Sequence, residues 1–214
     1  MIKKYSSAIF WGLCFIIFTI LLKVIDVQAT GPEGSLIGFS SLNNAVFSLL
    51  GTNTFCYKLT QAFGLLAILV AGLFALTGLI QLIKRKSLIK IDREIIVTGI
   101  IYILVIILYV LFEKLAINYR PVITDEGLEA SFPSTHTMLI LTILGTALPL
   151  AGRYITNPKL AFAAKLFCIV IMWLTIICRL LSGVHWFTDI IGGVLISLCL
   201  ISLHKALCFK KENK

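Results

Sequence analysis

The residues 178–189 gather three ionisable side chains, Arg179, His185 and Asp189, between two long apolar runs. The apolar run that resumes at Trp186 indicates a helix beginning near His185, which places His185 and Asp189 four residues apart on one face. The carboxylate then holds one imidazole nitrogen and leaves the other free, as a histidine nucleophile or base requires. Arg179 supplies a planar fork of donors that suits phosphate or carboxylate.

A purely structural interpretation of these three residues stays open. Arg179 then snorkels to the membrane surface, His185 lies at the interface, and Asp189 occupies the first turn of a helix, where acidic residues are favoured. Ionisable groups at membrane depth cost roughly a few kcal/mol each, so three of them around one short connection favour a functional site.

The composition requires an integral membrane protein. Of 214 residues 59% are hydrophobic and 14% are charged, and the mean hydropathy is +1.01. The net charge of +9 does not indicate nucleic acid binding, because the basic residues fall mostly between apolar runs. The six cysteines show no metal-ligand spacing, and we interpret them as small apolar residues.

Apolar runs predict an all-α membrane protein, a single domain over residues 1–214 with a bundle of about six transmembrane helices. The first run resembles a signal peptide, but its length and its flanking charges favour a retained helix. The predicted spans are residues 8–25, 62–83, 95–112, 134–152, 160–181 and 187–209.

The positive charges predict the orientation of the bundle. Lys84, Arg85 and Lys86 place the connection after the second span in the cytoplasm. By alternation both termini are cytoplasmic, which agrees with lysines at the chain end, and the connections 113–133 and 181–186 lie outside. His136 and His185 therefore share the extracytoplasmic face. The lysines at the chain end are Lys205, Lys210, Lys211 and Lys214.

The segment 26–57 is rich in Gly, Pro, Ser and Asn. Within it, Asn43 or Asn44 is predicted to cap a short helix that stops at Gly51. This helix is too short to span a bilayer, so we expect it at the membrane interface.

Two further clusters lie in the second outer connection and at its end. Lys114 and Arg120 stand just beyond the third span, where anchoring at the interface is the alternative to a binding role. Ser134 follows Pro133 and is a good N-cap, so a helix starting there directs the N–H groups of Thr135 and His136 outward. Such a helix start is a ready anion site, although a plain cap explains Ser134 equally well.

The three clusters together resemble the signature of the type 2 phosphatidic acid phosphatase superfamily. Its pattern runs Lys-x6-Arg-Pro, Pro-Ser-Gly-His and Ser-Arg-x5-His-x3-Asp, and this sequence keeps the order of the three parts over about residues 114–189. Three positions depart from it. Lys114 is one residue closer to Arg120, Thr135 replaces glycine, and Cys178 replaces serine.

The resemblance implies a metal-independent phosphatase without a cofactor. His185 attacks phosphorus, Asp189 orients its ring, and His136 protonates the leaving oxygen. The phosphate-binding residues implied by the family pattern are Arg179, Arg120, Lys114, Ser134 and Thr135. The substrate is then a lipid phosphate or diphosphate at the membrane surface. Candidates from the family are phosphatidic acid, phosphatidylglycerol phosphate and an isoprenoid diphosphate such as undecaprenyl diphosphate.

Three alternatives remain at this stage. A phosphotransferase would pass the same phosphohistidine to an acceptor other than water, and a binding or transport protein would use the cationic pocket for anionic lipids without catalysis. A metal held by His136, His185 and Asp189 is chemically possible, but the neighbouring cations would repel it.

Overall fold

The computed structural model describes residues 2–123 and 127–209, and this part of the chain is built from helices. Seven α-helices follow in order: α1 (Ile2–Val24), α2 (Ser40–Leu50), α3 (Thr54–Arg85), α4 (Arg93–Leu115), α5 (Thr135–Tyr154), α6 (Pro158–Leu181) and α7 (Phe187–Cys208). All except α2 are long and apolar enough to cross a membrane, so six candidate spans are present. The predicted multi-pass helical membrane protein is confirmed. Lys210, Lys211 and Lys214 lie outside the described residues.

Helices α5 and α7 form the centre of the bundle. In an apolar 18-residue stretch of each, 61% and 50% of the residues are buried, against 17% for α1, α3 and α6. Helix α7 packs against α1 and α5, and α5 also packs against α3 and α6. The outer helices expose apolar side chains on their remaining faces, as contact with lipid requires. The two helices that start with His136 and Asp189 in their first turns are therefore the two held most firmly.

Polar residues determine where the helices start. Asn53 caps α3 by accepting the N–H of Cys56 at 2.9 Å, and Asn157 caps α6 by accepting the N–H of Lys159 at 3.0 Å. At the start of α7, Oδ2 of Asp189 accepts the N–H of Trp186 at 2.9 Å. This bond starts α7 at Phe187, where the sixth span was predicted to begin, and leaves His185 just outside the helix.

The predicted cap of the short helix was wrong. Helix α2 begins at Ser40 after Phe39, so Asn43 and Asn44 lie inside it, although it does end at Gly51 as expected. The fully buried amide of Asn43 instead donates to the carbonyl of Gly38 and to Oγ1 of Thr188, both at 2.9 Å. Asn43 therefore ties α2 to the first turn of α7, a contact between distant segments that local spacing does not reveal.

Two glycines allow close approach around the α6–α7 connection. Gly183 has a φ of +69°, and a Cβ there would lie 2.6 Å from the carbonyl oxygen of Gly51. Gly193 on α7 packs against the start of α5, where a Cβ would lie 2.8 Å from Cβ of Thr137 and 3.0 Å from the carbonyl oxygen of Ser134. The connection that carries His185 is thus pressed against the end of α2, and the helix that follows it is pressed against the start of α5.

Candidate active site

The ionisable residues singled out in the sequence come together at one end of the bundle. Arg179 ends α6, His185 precedes α7, His136 lies in the first turn of α5, and Arg120 lies in the α4–α5 connection. Arg179 and Arg120 lie close enough for their charges to act on the ring of His185, and His136 lies near the same ring. Segments separated by 65 residues of sequence therefore build a single cationic site.

His185 and Asp189 form a buried pair. Their side chains are 1% and 0% exposed, and Nδ1 of His185 lies 3.6 Å from Oδ2 of Asp189. That distance is longer than a hydrogen bond, and the same Oδ2 accepts the backbone N–H of Trp186, which caps α7. Among the described residues neither ring nitrogen of His185 has a hydrogen-bond partner. Nδ1 faces the acid, which leaves Nε2 for another group.

The charge state of His185 suits a nucleophile. Burial, followed by the positive charges of Arg179 and Arg120, holds the pKa of His185 well below its usual value. The imidazole is therefore neutral at neutral pH and carries a free lone pair. Once a bond forms to that lone pair, the ring becomes positive, and the carboxylate of Asp189 lies beside it to stabilise the charge.

Arg179 is a buried cation in the same site as His185. It is 1% exposed; its Nη1 donates to Oγ1 of Thr60 at 3.2 Å, and its guanidinium lies 5.8 Å from the centroid of the Tyr57 ring. Within the described ranges no carboxylate lies at ion-pair distance from Arg179, and its Nε has no hydrogen-bond partner. A buried guanidinium without a counter-ion costs several kcal/mol, roughly, so this arrangement favours an anionic ligand.

Arg120 is shared between the site and an acidic residue. Its Nη1 lies 3.2 Å from Oε2 of Glu129, and its backbone N–H donates to the carbonyl of the same residue at 3.0 Å. Its Nε has no hydrogen-bond partner among the residues described. Arg120 therefore keeps donors available for an anion while Glu129 fixes the position of the side chain. The sequence did not single out Glu129, because the family pattern has no acid there.

His136 contacts α3, a helix that no sequence motif connects with the site. Its Nε2 lies 2.8 Å from Oε1 of Gln61, and a Cβ at Gly64 would lie 3.4 Å from Cδ2 of the ring. Gln61 and Gly64 lie on the same face of α3 as Tyr57 and Thr60. Thr60, Gln61 and Gly64 follow Tyr57 by three, four and seven residues, which is the spacing of one helical face, but the predicted second span began only at residue 62 and left three of the four outside the helix.

The start of α5 is only partly as predicted. Ser134 is the N-cap residue and is fully buried, but its hydroxyl accepts from Oγ1 of Thr137 at 3.0 Å instead of capping the helix. Its backbone N–H donates to the carbonyl of Asp189 at 3.0 Å, which joins the starts of α5 and α7. Thr135 is half-buried and borders the main cavity.

Lys114 differs from the other predicted site residues in its exposure. It lies in the last turn of α4, where its side chain is exposed to the surroundings, whereas Arg179 and His185 are buried. The shortened spacing to Arg120 thus coincides with a different environment for this lysine. Its binding of phosphate stays a prediction.

A cavity of about 550 Å³ leads to His136 and Arg120. One end is polar and the other, between α3 and α4, is apolar. The polar lining includes Gln61, Glu113, Arg120, Glu129 and His136, and the apolar lining includes Leu65, Ile68, Val105, Ile106, Met138 and Leu139. His185 borders a separate gap of about 10 Å³ beneath α2 instead. The cavity therefore approaches the site from the side of His136.

The fold and the site define an all-helical integral membrane protein with a histidine and arginine cluster at one end of the bundle. A family model for the PAP2 superfamily matches residues 97–212, more than half of the chain. The chain belongs to the PAP2 superfamily, as the resemblance of the three clusters indicated. The matched residues include every predicted site residue but not α3.

A solved structure shares this fold. It is described as the crystal structure of the first transmembrane PAP2 type phosphatidylglycerolphosphate phosphatase from Bacillus subtilis. The TM-score is 0.67 at 19% sequence identity, and the match covers 93% of this chain and 94% of that one. No curated protein sequence matches this chain.

Proposed function

We propose that this protein is a phosphatase that hydrolyses a lipid phosphate or diphosphate monoester through a phosphohistidine intermediate. The observation that carries the proposal is the pairing of a neutral, buried His185 with a buried Arg179 that has no carboxylate partner among the described residues. Membership of the PAP2 superfamily and the fold shared with a PAP2 type phosphatase support the same reaction.

In the first step Nε2 of His185 attacks phosphorus, and the bond from phosphorus to the lipid oxygen breaks. His136 gives a proton to that oxygen, while Asp189 stabilises the positive ring of the phosphohistidine. In the second step water attacks phosphorus, His136 takes up the water proton, and the bond to His185 breaks. Inorganic phosphate then leaves.

The phosphate oxygens need cations and donors around them during both steps, because phosphoryl transfer depends chiefly on positioning and charge neutralisation. Arg179 and Arg120 supply the charge from two sides, and their free Nε groups support this role. Ser134, Thr135 and Lys114 complete the proposed set.

A lipid substrate agrees with the shape of the cavity. Its polar end contains Arg120 and His136, and its apolar wall includes Ile68 and Ile106 on neighbouring membrane helices. A phosphorylated headgroup fits the first and hydrocarbon fits the second. Because the solved structure is described as a phosphatidylglycerolphosphate phosphatase, that lipid belongs in the substrate panel with phosphatidic acid and undecaprenyl diphosphate.

We place the site at the extracytoplasmic face, with both termini in the cytoplasm and one domain over the whole chain. The basic connection 84–90 between α3 and α4 lies at the end of the bundle opposite to His185 and supports this orientation. The proposed reaction needs neither a metal ion nor a cofactor.

The test is phosphate release from that lipid panel by detergent-purified protein in the presence of a chelator. We expect release by the wild type and none by His185→Ala with an unchanged thermal unfolding temperature. Equal release by both proteins would overturn the role of His185. Loss of wild-type activity with chelator would show that a metal is needed, and product formation only with an added alcohol acceptor would show a phosphotransferase. Lipid binding without release would favour a binding protein.

A further inference from the structure

Helix α3 forms a wall of the site that the family pattern does not include. Its first turns contribute three contacts: the Tyr57 ring and the Thr60 hydroxyl to Arg179, and the Gln61 amide to His136. Gly64, one turn further, leaves room for the His136 ring. The contact between Gln61 and His136 bears most directly on the proposed reaction, because His136 is the group that transfers a proton.

The contact between Gln61 and His136 specifies where the proton of the ring lies. Oε1 of an amide only accepts hydrogen bonds, so with the amide of Gln61 in this orientation the 2.8 Å contact places a hydrogen on Nε2 of His136. Nδ1 then holds the lone pair. Both residues border the main cavity, and the Nε2 edge of the ring lies next to Gly64 on the cavity wall.

The charges around His136 explain why a neutral acceptor suits this position. Arg179 of α6 and Arg120 of the α4–α5 connection face the ring, and His185 lies near it. A carboxylate at position 61 would attract both arginines and repel the substrate phosphate. An amide holds the ring without adding charge.

We propose that Gln61 is a positioning residue that keeps the transferable proton of His136 at Nε2, on the cavity side of the ring. The inference rests on the proposed phosphatase reaction. As the anionic phosphate binds, Nδ1 of His136 takes up a proton from solvent and the ring becomes an imidazolium. The leaving oxygen then displaces Oε1 of Gln61 and receives the proton from Nε2 as its bond to phosphorus breaks, which leaves a neutral ring with its hydrogen on Nδ1. In the second step Nε2 takes up the proton of the attacking water, Nδ1 returns its proton to solvent, and the contact with Gln61 forms again.

Histidine NMR tests the position of the proton without any turnover. The chain has three histidines, so ¹⁵N-histidine spectra of detergent-solubilised protein can be assigned with three single His→Ala variants. We expect His136 to be the Nε2–H tautomer in the wild type and to lose this preference in Gln61→Leu. His204, which contacts Thr98 at 2.9 Å near the other end of the bundle, reports that the variant is folded. A proton on Nδ1, or a His136 signal unaffected by Gln61→Leu, would overturn the inference.

The leaving group tests the role of that proton in the reaction. An alkyl lipid phosphate needs a proton on its leaving oxygen, whereas 4-nitrophenyl phosphate releases nitrophenolate without one. Gln61→Leu should therefore lower kcat for the lipid by roughly tenfold, part of the roughly 10²–10⁴ that general acid catalysis supplies, and change kcat for the aryl phosphate little.

Gln81→Leu is the matched control, since it removes an amide from the other end of α3 that binds Asp92 at 2.8 Å. It should leave the ratio of the two rates as in the wild type. Equal losses with both substrates in Gln61→Leu would show a merely structural role and overturn the inference while the phosphatase assignment stands. A wild type that releases no phosphate from any substrate would instead overturn the proposed reaction, and with it this catalytic role of Gln61.

Discussion

Substitution of Gly193 by alanine tests whether the close packing of α7 against α5 sets the geometry of the site. The added Cβ would lie 2.8 Å from Cβ of Thr137, whereas ordinary contact begins near 3.4 Å, so the two helices must separate by about 0.6 Å. Asp189 lies one turn before Gly193, and His136 lies beside Thr137. The same shift therefore moves the proposed nucleophile pair away from the proposed acid.

The size of the effect follows from this displacement. A misplacement of about 1 Å can cost roughly 10²-fold in rate, so about 0.6 Å should lower kcat/KM by roughly tenfold. Overpacking costs about 1–3 kcal/mol of stability, and the better helix propensity of alanine offsets up to about 1 kcal/mol. We therefore expect a modest fall in thermal unfolding temperature with a larger relative loss of activity.

The assay is kcat/KM for phosphate release together with thermal unfolding of the same preparations. Gly72→Ala is the control, because a Cβ at Gly72 on α3 meets no atom within 4 Å. It should keep the activity and the stability of the wild type or raise the stability. A folded Gly193→Ala protein with wild-type kcat/KM would refute the argument that this contact positions the site.

Three further predictions concern charge. Because the pKa of His185 lies well below its usual value, the neutral, reactive ring persists as the pH falls, and kcat/KM should decline only below pH about 6.5; a decline that begins above this value would contradict the prediction. Arg179→Lys replaces a planar fork of donors with a point charge. It should raise KM and lower kcat, so that kcat/KM falls by roughly 10–100-fold. Wild-type values of both constants would argue against phosphate binding by Arg179. Glu94→Gln removes the 2.6 Å ion pair with the half-exposed Arg153 away from the site, and should cost about 1 kcal/mol of stability in thermal unfolding without changing kcat/KM.

The sequence predicted the membrane spans because hydropathy is a strong and local signal. The six candidate spans agree with the six apolar runs, and five of the six starts lie within six residues of the prediction. Helix α3 starts eight residues earlier than predicted, since Tyr57, Thr60 and Gln61 make its first turns polar. Those side chains face the site and not lipid, so hydropathy alone placed them in a connection.

The grouping of His136, Arg179 and His185 could also be anticipated, because each lies at the end of a span on the same side of the alternating topology. Contacts between side chains that are distant in sequence could not be anticipated. Gln61 and His136 are 75 residues apart, and no spacing rule relates them. The cap of α2 failed for a similar reason, since Asn43 is used for a contact with α7 that forms only in the folded bundle.

The length of α3 also sets the depth of the site in the bilayer. Gln61 precedes Lys84 by 23 residues, which is about 35 Å of helix. With Lys84 at one membrane surface, Gln61 lies just beyond a hydrocarbon layer of about 30 Å. In the proposed reaction the phosphate of a lipid would then reach His136 at its ordinary headgroup level while the acyl chains remain in the bilayer. A phosphatase built in this way would not lift the lipid out of the membrane, and its rate should depend on bilayer thickness, because a thicker bilayer would submerge the site.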